Sequence, residues 1–435
     1  MKEIYKLLTS ISVLVLLLVV TSCEPDNEIE PLFDQSINER TEALKEEYLD
    51  ILTSPSDGWL GYYSPNGSFG FYTMLLKFDT DGNVEIDSDY NTGDADNIIT
   101  YRMDKTLKIE LVFESTSVFS EIFAINNNNN GGEFVFNILS ANENEVVLES
   151  KLDFGDDVTI FTLRRARTDE LDLSPVYDSV GNITGDGTES VFRNILFNDE
   201  VIGTFSFNSV TRFATISYIT NGVIQTVSVP IIITSSGFAF VESLNINGVI
   251  LTSFDYNETE NWYENPADAL KIIYDDFPGI PLTPYNFGVI ANNARYNYLE
   301  PGKSSLAFVN LYAQLTEQFT IDSGGFTISR VYLRSLNDGA IPYLEFWIPT
   351  ATGTFGAWYD LNFEVNDGIV TFSLTGDTNA PGFIDVALQP LIEAFVGAPS
   401  GYYLKGTGGL LNFSNGTFSM INVDNPSLET NYYDF

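Results

Sequence analysis

Histidine is absent from all 435 residues and cysteine occurs once, at Cys23. Without an imidazole there is no Ser-His-Asp triad, no HExxH helix and no histidine metal site. With one thiol there is no intrachain disulfide and no cysteine zinc site. Basic residues are also scarce, 20 Lys and Arg against 60 Asp and Glu, a formal charge of −40 that excludes nucleic acid as a partner. The chain has no G-x-S-x-G elbow, no Walker loop and no G-x-G-x-x-G between a strand and a helix. No catalytic residue, cofactor or metal site is therefore expected, and the protein reads as a non-enzyme.

What is present begins at the N-terminus. Lys2 and Lys6 precede an apolar run from Leu7 to Val20, and Val20-Thr21-Ser22-Cys23 fits the site at which bacterial lipoprotein signals are cleaved and lipidated. The run is about 14 residues, short of the ~20 that a spanning helix needs. Residues 1–22 are expected to be a signal peptide, Cys23 the lipid attachment site, and residues 23–33 a tether. The stretch Glu24-Pro25-Asp26-Asn27-Glu28-Ile29-Glu30 reads as a solvated linker and resembles the acidic export signal of Bacteroidota surface lipoproteins. The expected location is the outer membrane, lipid-anchored and exposed at the cell surface.

The remainder reads as mainly β. An amphipathic helix is expected over 34–53, with Ile37, Leu44, Tyr48, Leu49 and Leu52 near one face, stopped by Ser54-Pro55 and Asp57-Gly58. From Trp59 the period becomes two. Tyr72, Met74, Leu76 and Phe78 lead into Asp81-Gly82 and then Val84 and Ile86, a hairpin pattern, and further strands follow to Leu163. The meander over 34–170 predicts a lipocalin-like barrel or a sandwich, which share the same alternation. A loop is expected at Asn126 to Gly132 and a domain boundary at Thr168 to Gly187, rich in Asp, Gly and Ser.

A second β region is expected over 188–256, with turns at Asn221-Gly222 and Asn247-Gly248, then an irregular connection over 257–305 with a short helix from Ala267 to Phe277. A third β region occupies 306–435, with a turn at Asp367-Gly368, one helix from Ile384 to Phe395, and strands pairing across Asn415-Gly416.

Candidate ligand-binding residues are the aromatics Trp59, Tyr62 and Tyr63, beside Gly58, Gly61 and Pro65; the competing reading is that such rings fill the core. Asp79, Asp81, Asn83, Glu85 and Asp87 place oxygens at alternate positions, but Gly82 comes too early for an EF-hand loop, so a hairpin turn is preferred to a calcium site. Paired carboxylates for glycoside hydrolysis cannot be singled out among so many acids.

Asn38-Glu39-Arg40, then Gly58-Trp59-Leu60-Gly61-Tyr62-Tyr63-Ser64-Pro65, Gly70-Phe71-Tyr72, Phe78-Asp79-Thr80-Asp81-Gly82-Asn83-Val84 and Gly132-Glu133-Phe134-Val135-Phe136 resemble the domain of unknown function 4302 family of Bacteroidota lipoproteins. Members often carry a histidine in the block corresponding to Phe113 to Phe123; this chain has none. The resemblance implies a surface lipoprotein of a nutrient uptake system, with a TonB-dependent transporter and its lipoprotein lid as partners and a glycan, peptide or other nutrient as ligand. Alternatives are an adhesive or structural surface protein that binds host or matrix macromolecules, and a carboxylate-based glycoside hydrolase.

Overall fold

The computed structural model describes residues 36–67, 69–90, 93, 96–125, 131–153, 158–282, 294–296, 304–336, 340–410 and 413–434. The signal peptide, Cys23, the tether and most of the asparagine loop, residues 126–130, lie outside the described residues.

Helix α1 runs Ile37–Thr53. Ser36 Oγ accepts from the Glu39 amide at 3.2 Å while the Ser36 amide donates to Glu39 Oε2 at 2.8 Å, a reciprocal cap that satisfies two end groups. Residues up to Asp50 form a unit of their own, and residues 51–435 form a second.

The second unit consists of three antiparallel meanders, each of eight strands and each closed into a barrel. The first holds β1 (Trp59–Tyr63), β2 (Tyr72–Phe78), β3 (Asn83–Ser88), β4 (Ile98–Lys105), β5 (Ile109–Phe113), β6 (Val135–Ala141), β7 (Glu145–Ser150) and β8 (Ile160–Arg165). Trp59 pairs with Arg165 and Gly61 with Leu163 to close it. Barrel and sandwich were equally open in the sequence; the β1–β8 pairing decides for the barrel. Its interior is filled. Tyr63, Phe113, Phe136 and Phe161 surround Phe119 of α2 (Val118–Ala124), with Phe113 and Phe119 stacked 4.6 Å apart.

The segment 168–187, expected as a boundary, carries α3 (Ser174–Thr184), preceded by a 3₁₀ turn at Thr168–Glu170. Leu173, Val176 and Ile183 bury into the core of the second barrel, because that one apolar stripe is enough to dock an otherwise polar segment.

The second barrel holds β9 (Phe192–Phe197), β10 (Glu200–Asn208), β11 (Phe213–Thr220), β12 (Val223–Thr234), β13 (Gly237–Ile246), β14 (Val249–Asn257), β15 (Trp262–Asn265) and β16 (Leu270–Asp275). The helix expected from Ala267 to Phe277 is not formed. A 3₁₀ turn at Pro266–Asp268 leads into β16, where Leu270 and Ile272 alternate inward and pair with Phe197 and Ile195 to close the sheet. The connection expected over 257–305 is therefore regular as far as Asp275. Asn221 and Gly222, Asn247 and Gly248, and in the third barrel Asp367 and Gly368, all have positive φ, the mirror-image turn that suits twisted hairpins.

The third barrel holds β17 (Ala294–Tyr296), β18 (Arg330–Leu336), β19 (Ala340–Thr350), β20 (Gly353–Asn366), β21 (Ile369–Thr378), β22 (Tyr402–Leu410), β23 (Phe413–Asn422) and β24 (Glu429–Asp434), closed by Tyr296 pairing with Tyr432. Two helices pack on its core, α4 (Leu306–Asp322) and α5 (Gly382–Val396). The expected helix over 384–395 lies inside α5. The β region expected to begin near Leu306 instead opens with helix α4, since Phe308, Tyr312, Leu315 and Phe319 recur at helical spacing against the core. Asn415-Gly416 lies inside β23 rather than in a turn; the strands meet at the pair Leu410 and Phe413.

Candidate functional site

Strand alternation separates the three aromatic candidates. Trp59 and Tyr63 are fully buried, while Tyr62, on the opposite face of β1, is half-buried against the core of the second barrel. The Trp59 indole N–H donates to the Leu52 carbonyl at 2.8 Å, and the Tyr63 hydroxyl accepts from the Glu133 amide at 2.9 Å. These rings do not form an exposed sugar platform: two of them fill the core and the third packs between barrels. The Asp79 carboxylate accepts from the amides of Asp81 and Asn83 at 2.9 and 2.8 Å and from Asn83 Nδ2 at 3.0 Å, which tightens the hairpin and lowers its pKa. Among the described residues there is no cluster of three or more acids positioned to hold a metal ion.

A site of different character opens between the second and third barrels. There the outer faces of two sheets enclose a cleft of about 410 Å³, within the range of small-molecule pockets. One wall is hydroxylic. Thr204, Ser217 and Thr226 are cross-strand partners on β10, β11 and β12, and Ser206 and Thr215 line the cleft in the adjacent row, where Thr215 pairs on with Ser228. Within them Ser217 Oγ and Thr226 Oγ1 lie 2.9 Å apart, and Thr215 Oγ1 and Ser228 Oγ 3.1 Å apart. A hydroxyl offers one donor and two acceptor sites, so each pair keeps capacity to spare.

The opposite wall comes from β22 and β24, with Lys405, Thr407, Glu429 and Asn431. Thr407 Oγ1 donates to Thr417 Oγ1 at 2.7 Å and accepts from Asn431 Nδ2 at 3.3 Å. Asn431 is fully buried, yet its Oδ1 has no partner among the described residues. The roof is apolar, with Pro278, Ile280, Pro281 and Leu282. Phe192 and Tyr403 meet edge to face at 5.6 Å beside the cleft, and the Val191 amide donates to the Pro426 carbonyl at 2.9 Å, which join the two barrels. The Arg193 guanidinium is already engaged, donating to the Ile183 carbonyl at 2.6 Å and lying 4.7 Å from the Tyr274 ring.

None of these residues stood out in the sequence. A signal was nonetheless there: Thr-x-Ser occurs at 204–206, 215–217 and 226–228, and period two puts each pair on one face. That the three pairs align, and that Asn431 faces them from 200 residues further on, follows only from strand register and barrel packing.

No curated protein matches the chain. Among solved structures, the isotype 1 transferrin binding protein B from serogroup B Neisseria meningitidis aligns at 9% identity with a TM-score of 0.12, over 84% of this chain and 65% of that one, a likeness too low to carry an argument. The chain spans about 65% of the length of that structure. The family model for the domain of unknown function DUF4302 matches residues 29–258, which include the helix, the first barrel and most of the second. The chain belongs to the DUF4302 family.

Proposed function

We propose that this protein is a lipid-anchored outer-membrane surface protein that captures a nutrient ligand without chemistry, as an accessory of an uptake system. The observation that carries the reading is the cleft between the second and third barrels, polar on both walls and of small-molecule size. Among the described residues that line it Glu429 is the one carboxylate, whereas glycoside hydrolysis uses two facing acids. Capture is favoured over hydrolysis on that ground. The leader, Cys23 and the acidic tether support surface anchoring.

The test is recovery of the tagged, lipidated protein from its native outer membrane in mild detergent. The expected result is co-purification of a TonB-dependent transporter and its lipoprotein partner, with both lost when Cys23→Ser removes the anchor. Recovery of the protein alone, under conditions that keep known envelope complexes intact, moves the reading to an adhesive or structural surface protein.

A further inference from the structure

We infer that the cleft between the second and third barrels takes a neutral saccharide, an inference that rests on reading this protein as one that captures a ligand. Two features of the cleft select that chemistry.

The first is the pattern of polar groups. Two parallel rows of hydroxyls, Thr204, Ser217 and Thr226 beside Ser206 and Thr215, present groups that both donate and accept, at the spacing of neighbouring strands. Thr407 and Asn431 line the opposite wall, with Lys405 and Glu429 beside them. A ligand rich in hydroxyls satisfies both walls, and its C–H faces can lie on Ile280, Pro281 and Leu282.

The second is charge. Lys405 has no ion-pair or hydrogen-bonded partner among the described residues, but Glu429 stands on the same wall, so the walls themselves are close to balanced. Around them the whole chain carries −40, a field that repels polyanions such as uronates and acidic peptides. An uncharged ligand enters without that cost.

The experiment is calorimetric titration of the full mature protein in detergent with maltotetraose, cellotetraose, xylotetraose and mannotetraose, and in parallel with trigalacturonate and trialanine. At least one neutral oligosaccharide is expected to bind. The double variant Ser217→Ala, Thr226→Val, which deletes two of the three hydroxyls of that row at nearly constant volume, should weaken that binding roughly tenfold or more, as loss of two neutral hydrogen bonds implies. Thr252→Val, on an exposed position of β14 away from the cleft, should leave it unchanged. Binding of trialanine in place of the neutral sugars, abolished by the same double variant, overturns the saccharide class, and binding of trigalacturonate overturns its neutrality, while in both cases the capture reading stands. Binding that ignores the double variant, or no binding by any of the six probes, overturns the site itself.

Discussion

The Glu133 carboxylate accepts four backbone N–H groups, from Phe134 and Val135 at 3.1 and 3.0 Å and from Lys151 and Leu152 at 3.2 and 2.8 Å. It ties the start of β6 to the end of β7. Burial pushes its pKa up, opposed by those four amides. Glu133→Gln puts an NH₂ against two of the N–H donors, and a loss of about 2–3 kcal/mol is expected in urea denaturation, the scale of bonds to a charged acceptor. Asp89 is a second buried carboxylate, accepting from the Thr73 amide at 3.0 Å with its Oδ1 3.8 Å from Arg212 Nη2. Desolvation raises its pKa to about 6, against the lowering effect of Arg212, with Tyr72 and Tyr90 the other titratable groups nearby. The folded state then binds a proton more readily than the unfolded state, so the contribution of Asp89 to stability is greatest below about 4 and is lost as pH rises through about 6. Chemical denaturation of wild type and Asp89→Asn across pH 4 to 7 should show that slope in the wild type and its loss in the variant. Neither role was legible beforehand, because Glu133 and Asp89 look like any of 60 acids until the packing encloses them.

Among elements, the junction of the first two barrels depends on close backbone approach. The turn between β10 and β11 enters beside β2. Gly70 donates its amide to the Thr211 carbonyl at 2.7 Å, the Phe71 amide reaches the Ile231 carbonyl at 3.3 Å, and the Tyr72 hydroxyl donates to the Val210 carbonyl. Arg212, at φ +56°, is buried there and donates from Nη2 to the Asp89 carbonyl at 2.7 Å. A Cβ at Gly70 would stand 2.0 Å from the Arg212 carbonyl oxygen, whereas one at Gly67 meets nothing within 4 Å. Gly70→Ala should therefore cost roughly 1–3 kcal/mol or more, the usual scale of overpacking, and Gly67→Ala almost nothing, as read from paired melting curves. Element identity was largely readable: the period-two runs, the Asn-Gly and Asp-Gly turns, α1 and α5 are visible in the residues. The departures fell at Asn415-Gly416, which lies inside β23, and at Ala267–Phe277 and Leu306–Asp322, apolar stretches whose state was decided by what they pack against, the open edge of the second barrel and the core of the third.

For the whole molecule, charge sets the expected response to solvent. With 60 acidic and 20 basic residues on a folded chain, self-repulsion opposes compaction and salt screens it. The melting temperature should rise as sodium chloride increases from low to physiological and higher concentration. A melting temperature that falls or stays flat would mean that ion pairs such as Lys151 with Glu110, 2.7 Å apart, outweigh the repulsion. The same charge bears on the cleft, where ligand affinity for a neutral probe should be nearly independent of salt.

The sequence by itself determined the fold class, because a period of two and positive-φ turn residues are local properties that dictate antiparallel hairpins wherever the strands end up. It also determined the family, and through its leader the expectation of a lipid anchor. Closure belonged to tertiary structure: a barrel and a sandwich bury the same alternate residues, and only the pairing of first strand to last separates them. The fate of Trp59, Tyr62 and Tyr63 was decided there too, since an aromatic side chain serves a core or a surface equally well until its neighbours are placed. The cleft is the extreme case, for its walls are outer faces of two barrels and its residues lie up to 240 positions apart, so no local pattern of hydroxyls could announce that they face one another.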